Sequence, residues 1–96
     1  MEAMPLGTMP TSGPLARAIS AEVRATLARQ NMTAKDLAAQ CGLSQGYLGK
    51  RLRDEAPLNA NDFESICKAL GKEVVSFVQT ALDAAGYESD APRASK

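Results

Sequence analysis

Residues 33–52 read TAKDLAAQCGLSQGYLGKRL, and the reading of the whole chain turns on this stretch. Thr33-Ala-Lys-Asp36 is a capping-box pattern. The threonine hydroxyl can accept from the amide three residues on, while the Asp36 carboxylate reaches back to the Thr33 amide. Leu37, Ala38 and Cys41 then share one face, and Gly42 ends this helix after little more than two turns. Leu43 leads straight into Ser44, a second N-cap, opening a helix from Gln45 to about Arg53 with Leu48 and Leu52 pointing inward. Two short helices joined through Gly42-Leu43-Ser44 have no slack between them. Gly42 supplies the positive φ of a tight helix–helix turn, Ala38 is small enough for close approach, Leu43 fills the angle and Leu48 anchors the second helix from beneath.

The flanking segments fit around this pair. Ser12 is placed to cap a first helix, with Pro14 in its opening turn, where a missing amide costs nothing. Leu15, Ile19, Val23 and Leu27 follow at steps of four and draw an apolar stripe to about Gln30, and Asn31 closes the helix. After Arg53, Asp54-Glu-Ala-Pro57 is a break, because Pro57 pushes Ala56 out of helical geometry. Asn61-Asp-Phe-Glu64 reads as the next capping signal, starting a fourth helix with Phe63, Ile66, Cys67 and Leu70 inward and Gly71 at its end. A fifth helix, from about Glu73 to Ala85, is strongly apolar and stops at Gly86. Residues 1–12 and 87–96 carry no periodicity and read as flexible tails around a domain over 13–86. No alternating β-branched run suggests a strand. The expectation is an all-α, compact five-helix domain.

Composition bounds what such a domain does. With 96 residues, 45% of them hydrophobic and 23% charged, the chain is one globular unit. No apolar run approaches the length of a membrane span, and no stretch reads as a secretory signal. There is no histidine, no glycine-rich phosphate loop and no nucleophile–base pair, which argues against an enzyme; no cofactor or small-molecule ligand is evident. Cys41 and Cys67 fall on apolar helix positions, as core residues of a reduced, cytoplasmic protein would, and two thiols alone make no zinc site. The net charge is zero but unevenly placed. Residues 15–54 carry Arg17, Arg24, Arg29, Lys35, Lys50, Arg51 and Arg53 against Glu22, Asp36 and Asp54, whereas acidic residues prevail after Asp54. A dipolar molecule of this kind can turn one face to phosphate. Two solvated surfaces of ordinary sign scatter are the plainer alternative.

The spacing over 33–52 is that of a helix-turn-helix, whose second helix enters the major groove while the first lies across the backbone. The pieces T-x-x-D-L-A, G-L-S-Q-x-Y-L and L-N-x-N-D-F-x-x-I-x-x-A-L-G resemble the lambda-repressor/Cro-like (XRE) family of bacterial and phage regulators, over roughly residues 15–85. The R-L-R-D-E-A-P-L junction is similar to versions in actinobacteria and their phages, small immunity repressors among them. The resemblance implies specific binding of double-stranded operator DNA through the major groove and transcriptional repression, often by dimers on paired half-sites.

Helix geometry and this resemblance together nominate the contacts. With Leu48 and Leu52 buried, the outward face carries Gln45, Gly46, Gly49, Lys50 and Arg53, with Ser44 and Gln45 at the end inserted deepest. Gln45 can pair bidentately with adenine. Gly46 and Gly49 either allow close backbone approach to the groove or are simply tolerated in a helix held by tertiary packing. Tyr47 either bonds a phosphate, which the resemblance favours, or packs its ring beside the turn. Arg51 stands where many relatives are apolar, and its role is open between helix 1 and a phosphate. Thr33 and Lys35, at the start of the first helix of the pair, form a phosphate clamp with the free amides there. Arg17, Arg24 and Arg29 read as solvated, with one of them a candidate for an added backbone contact.

The fifth helix is apolar nearly all round: Val74, Val78, Ala81, Leu82 and Ala85 on one arc, Val75 and Phe77 spilling onto another. Val75, Phe77, Val78 and Leu82 are therefore candidates for a homodimer contact. The alternative is that helix 1 and the N-terminal segment cover them. Two other functional classes compete with an operator-binding repressor: an antitoxin-like or accessory regulator, and a protein-interaction module that keeps the helix-turn-helix shape without DNA contact.

Overall fold

The computed structural model describes residues 11–87. Five helices follow in order: α1 Pro14–Gln30, α2 Ala34–Cys41, α3 Gln45–Leu52, α4 Ala60–Leu70 and α5 Val74–Ala85, with no strand among the described residues. Each helix delivers side chains to one core. Val23 and Leu27 come from α1, Leu37 and Ala38 from α2, Leu48 and Leu52 from α3, Ile66, Cys67 and Leu70 from α4, and Phe77 from α5. Phe63 meets Phe77 edge-on, with ring centroids 5.6 Å apart, where α4 packs on α5. The all-α, five-helix expectation is met.

Local chemistry sets the boundaries. The Thr33–Asp36 capping box forms in both directions, at 3.0 and 3.2 Å. Ser44 accepts from the Tyr47 amide at 3.0 Å, and Gly42 takes φ +71° between α2 and α3. Leu43 sits half-buried in the angle and Leu48 is fully buried beneath. At the other end of α3 the left-handed position falls not on a glycine but on Asp54, at φ +65°.

Several expectations need correction. The N-cap of α1 is Gly13, not Ser12, and makes no side-chain cap bond. Ser12 is instead buried, its amide donating to the Asp54 carbonyl at 3.3 Å and its carbonyl accepting from Arg17 Nη1 at 2.7 Å. It belongs to the domain rather than to a tail. At the far end Tyr87 does too, since its amide donates to the Leu82 carbonyl at 3.0 Å. Residues 1–10 and 88–96, the rest of the two expected tails, lie outside the described residues. Leu15 is 45% exposed, so the α1 stripe does not bury its first member. Each four-residue step turns about 400°, so three steps rotate Leu15 about 120° away from Leu27. Room on the buried arc goes to Ala18, Ser20 and Thr26. The N-cap of α4 is Asn59, whose Oδ1 accepts from the Asp62 amide at 2.7 Å, two residues before the expected Asn61. Phe77 is 4% exposed and inside the core, which removes it from any dimer surface.

Polar bonds fix α3 against α1. Ser20 Oγ shares its one proton between the carbonyls of Ala16, at 2.9 Å, and Arg51, at 3.2 Å, and Arg24 donates to the carbonyl of Leu52. The last carbonyls of a helix have no partner within it, so α1 side chains satisfy the C-terminal end of α3. Arg24 also lies 3.8 Å from Asp54. Of the three arginines read as solvated, Arg17 and Arg24 therefore brace the chain, and the third, Arg29, pairs with buried Glu22 at 2.6 Å.

Candidate nucleic-acid interface

The face of α3 opposite Leu48 and Leu52 is where the sequence places the contact residues. Ser44, Gln45, Gly46, Lys50 and Arg53 are exposed, and Tyr47, Gly49 and Arg51 are half-buried. Gln45 and Lys50 have no side-chain bond among the described residues, so both are unspent. A Cβ at Gly46 would meet nothing within 4 Å. The Ser44 side chain takes the Tyr47 amide and its carbonyl the Leu48 amide, which leaves the Gln45 and Gly46 amides without an acceptor inside the helix, beside a residue with no side chain. A Cβ at Gly49 would come 2.9 Å from Arg53 Nη1, because the Arg53 guanidinium folds back along the helix. That guanidinium donates to Glu55 Oε2 at 2.8 Å. The bond raises the Arg53 pKa and lowers that of Glu55.

Tyr47, expected at a phosphate, and Arg51, whose role was open between helix 1 and a phosphate, both have partners within the protein. The Tyr47 hydroxyl donates to Asp62 Oδ2 at 2.6 Å, and this bond raises the phenol pKa. A hydroxyl has one proton to donate. While Asp62 holds it, the Tyr47 hydroxyl has no proton left for a phosphate oxygen. Arg51 lies with its guanidinium carbon 3.6 Å from the centre of the Tyr47 ring, and its Nη1 donates to the Tyr47 carbonyl at 3.2 Å. Its Nε is buried without a partner. Asp62, on α4, had been read only as part of a capping signal. Nothing local in the sequence ties it to Tyr47, because the link depends on how α4 packs beside the helix pair.

At the start of α2, Thr33 and Lys35 are exposed, as Ser44 is at the start of α3. The capping box occupies the Thr33 and Asp36 amides, leaving those of Ala34 and Lys35 for an anion. The Asp36 carboxylate at this terminus opposes an incoming phosphate, and Lys35 offsets it.

Cys41 and Cys67 are free thiols, half-buried and buried, and burial raises both pKa values. This is the condition of packed rather than reactive cysteines. No helix among the described residues is long and apolar enough to cross a membrane.

The helix-turn-helix family model (HTH_3) matches residues 23–77. Among solved structures, the clp gene regulator ClgR from Corynebacterium glutamicum is 27% identical, with a TM-score of 0.71 over 80% of this chain and 81% of that one. The restriction-modification controller protein C.Esp1396I is 24% identical, with a TM-score of 0.67 over 74% of this chain and 92% of that one. The hypothetical transcription factor NHTF from Neisseria, 21% identical with a TM-score of 0.64, covers 85% and 94% of the two chains. The last two likenesses speak for the fold alone. No curated protein sequence matches the chain. The residues matched run from the core of α1 through the capped α2–α3 pair to Phe77, and the chain belongs to the lambda-repressor/Cro-like (XRE) helix-turn-helix family of DNA-binding transcription regulators.

Proposed function

We propose that the protein is a repressor in the bacterial cytoplasm that binds its operator as a homodimer, in a phage or prophage immunity circuit or a bacterial operon. The observation that carries this reading is the exposed outer face of α3, where Gln45 and Lys50 make no side-chain bond among the described residues and Gly46 carries no side chain. Gln45 reads bases, Lys50 and Arg53 reach base edges or flanking phosphates, and Thr33, Lys35 and Ser44 set the backbone register. The basic side chains supply salt-sensitive affinity. A second copy would dock on the outer side of α5, where Val75 is 68% exposed and Val74, Val78, Leu82 and Tyr87 line a groove beside it.

The test is selection of duplexes from a random pool by the wild-type protein, followed by fluorescence anisotropy with the selected and a scrambled duplex at two salt concentrations. A nanomolar, salt-sensitive preference is expected. Gln45→Ala and Lys50→Ala should each weaken binding to the selected duplex by about 1–3 kcal/mol without changing the far-ultraviolet circular dichroism. Failure to enrich any sequence would rule out specific DNA reading and favour a protein-interaction module.

A further inference from the structure

We propose that Asp62 is a specificity-determining positioning residue, which holds the reading helix α3 in its angle through the Tyr47 hydroxyl. The inference rests on the DNA-reading function proposed above.

A carboxylate beside a helix that approaches a polyanion is at first sight misplaced, since it repels phosphate. Its surroundings give it a use. Tyr47 is the third residue of α3 and Asp62 the third of α4, so the 2.6 Å bond between them joins the opening turns of the two helices. Asp62 is itself held, its amide capped by Asn59 at 2.7 Å. On the α3 side, Arg51, one turn after Tyr47, covers the phenol ring at 3.6 Å and bonds the Tyr47 carbonyl. The ring is thus fixed at its hydroxyl by α4 and at its face by α3.

The end of α3 nearest these contacts is the end that carries Gln45. Besides its apolar anchors Leu48 and Leu52, α3 is bonded by α1 at the Arg51 and Leu52 carbonyls, which holds its C-terminal end and leaves its opening turn the part able to roll about the apolar line. The Tyr47–Asp62 bond opposes the roll, because it acts off the line and is charge-assisted. Base reading depends on angle more than phosphate contact does, since two hydrogen bonds to one base edge must align together. Loss of the bond should therefore lower discrimination between duplexes more than overall affinity. Neither Asp62 nor Tyr47 need touch DNA for this.

The experiment compares wild type, Y47F, D62A, D62N and Y47F/D62A on the duplex selected by the wild-type protein and on a scrambled duplex. Circular dichroism and Tm are recorded for each. Y47F keeps the ring under Arg51 and removes only the hydroxyl. D62N keeps an acceptor for it. The expected result is that Y47F and D62A each lower the selected-to-scrambled affinity ratio by about tenfold, the scale of one misread base pair. The double variant should be no worse than either single one, and D62N should retain most of the ratio. The proposal is overturned if D62A and D62N tighten both duplexes alike with the ratio unchanged, because Asp62 would then act only as a charge. It is also overturned if the two single losses multiply in the double variant, or if Y47F discriminates like wild type. Should D62A fold poorly, Y47F and D62N still decide between these outcomes. If the wild-type protein enriches no sequence, the DNA-reading function itself fails, and this positioning role with it.

Discussion

Arg53 and Glu55 show how a single charge can set the level of indiscriminate binding. Both side chains are largely exposed, and the pair lies at the end of α3, where Arg53 folds back toward Gly49. An exposed pair of this kind adds little to stability. Its effect belongs to the unbound state, where Glu55 competes with phosphate for the guanidinium. Glu55→Gln should tighten binding to a scrambled duplex a few-fold and steepen its salt dependence. Asp83→Asn, which removes an equal charge on α5, should not. If the gain survives in R53A/E55Q, release of Arg53 is not its cause. Legibility at this scale was partial. The exposure of Gln45, Gly46 and Lys50 follows from the positions of Leu48 and Leu52 and was readable directly from helical geometry. The partners of Tyr47, Arg51 and Arg53 were not readable, because a side chain's last bond depends on which neighbour tertiary packing brings within 3 Å.

At the scale of the helix, the capping chemistry was the most legible part of the chain. The capping box at Thr33, the N-cap at Ser44 and the glycine stops at Gly42, Gly71 and Gly86 are where the sequence places them. The start of α4 was missed by two residues because the run Asn59-Ala-Asn61 offers two caps, and it is Asn59 whose side chain accepts from the Asp62 amide. Stability and function should part company at Gly46. Glycine inside a helix costs roughly 1 kcal/mol against alanine, and a methyl there meets nothing within 4 Å. Gly46→Ala should therefore raise the Tm, by about 4–8 °C per kcal/mol in a domain of this size. The same methyl would stand between the open amides and the groove floor, so binding to the selected duplex should fall. A more stable variant that binds as well as wild type would show that the glycine is merely tolerated.

The cap of α5 adds a pH dependence. Glu73 accepts from the Ser76 amide at 2.9 Å and the Val75 amide at 3.2 Å, and the bond from Ser76 is the main cause of its lowered pKa. A carboxyl with a folded-state pKa below its unfolded value contributes stability that is full above the ordinary carboxylate range. That contribution is lost as the pH falls through the lowered value. Glu73→Gln should accordingly melt below wild type at pH 7, and the gap should close on acidification into the carboxylate range. A gap independent of pH would mean that the charge on Glu73 contributes nothing to the cap.

For the molecule as a whole, the fold was legible because each helix carries its own start, stop and apolar face. The division of α5 between core and surface was not, since an almost wholly apolar helix gives no sign of which side faces inward. Packing of α1 and α4 against α5 decides it: Phe77 and Ala81 go inward and Val75 outward. This division makes the proposed dimer testable with two substitutions one turn apart or less. Val75→Glu puts a charge on a side chain that is 68% exposed, so the fold should be retained and its Tm little changed. If a second copy docks there, the charge is buried without a partner in the complex. Sedimentation equilibrium at tens of micromolar should then show the variant as monomer and the wild type as dimer. Phe77→Ala instead empties a core position and should cost about 3–5 kcal/mol of stability, a large part of what a domain this small possesses. A wild-type protein that sediments as a monomer would remove α5 as a self-association surface. Operator recognition would then rest on a single copy of α3, and the selected duplex should contain one half-site instead of two related by a dyad.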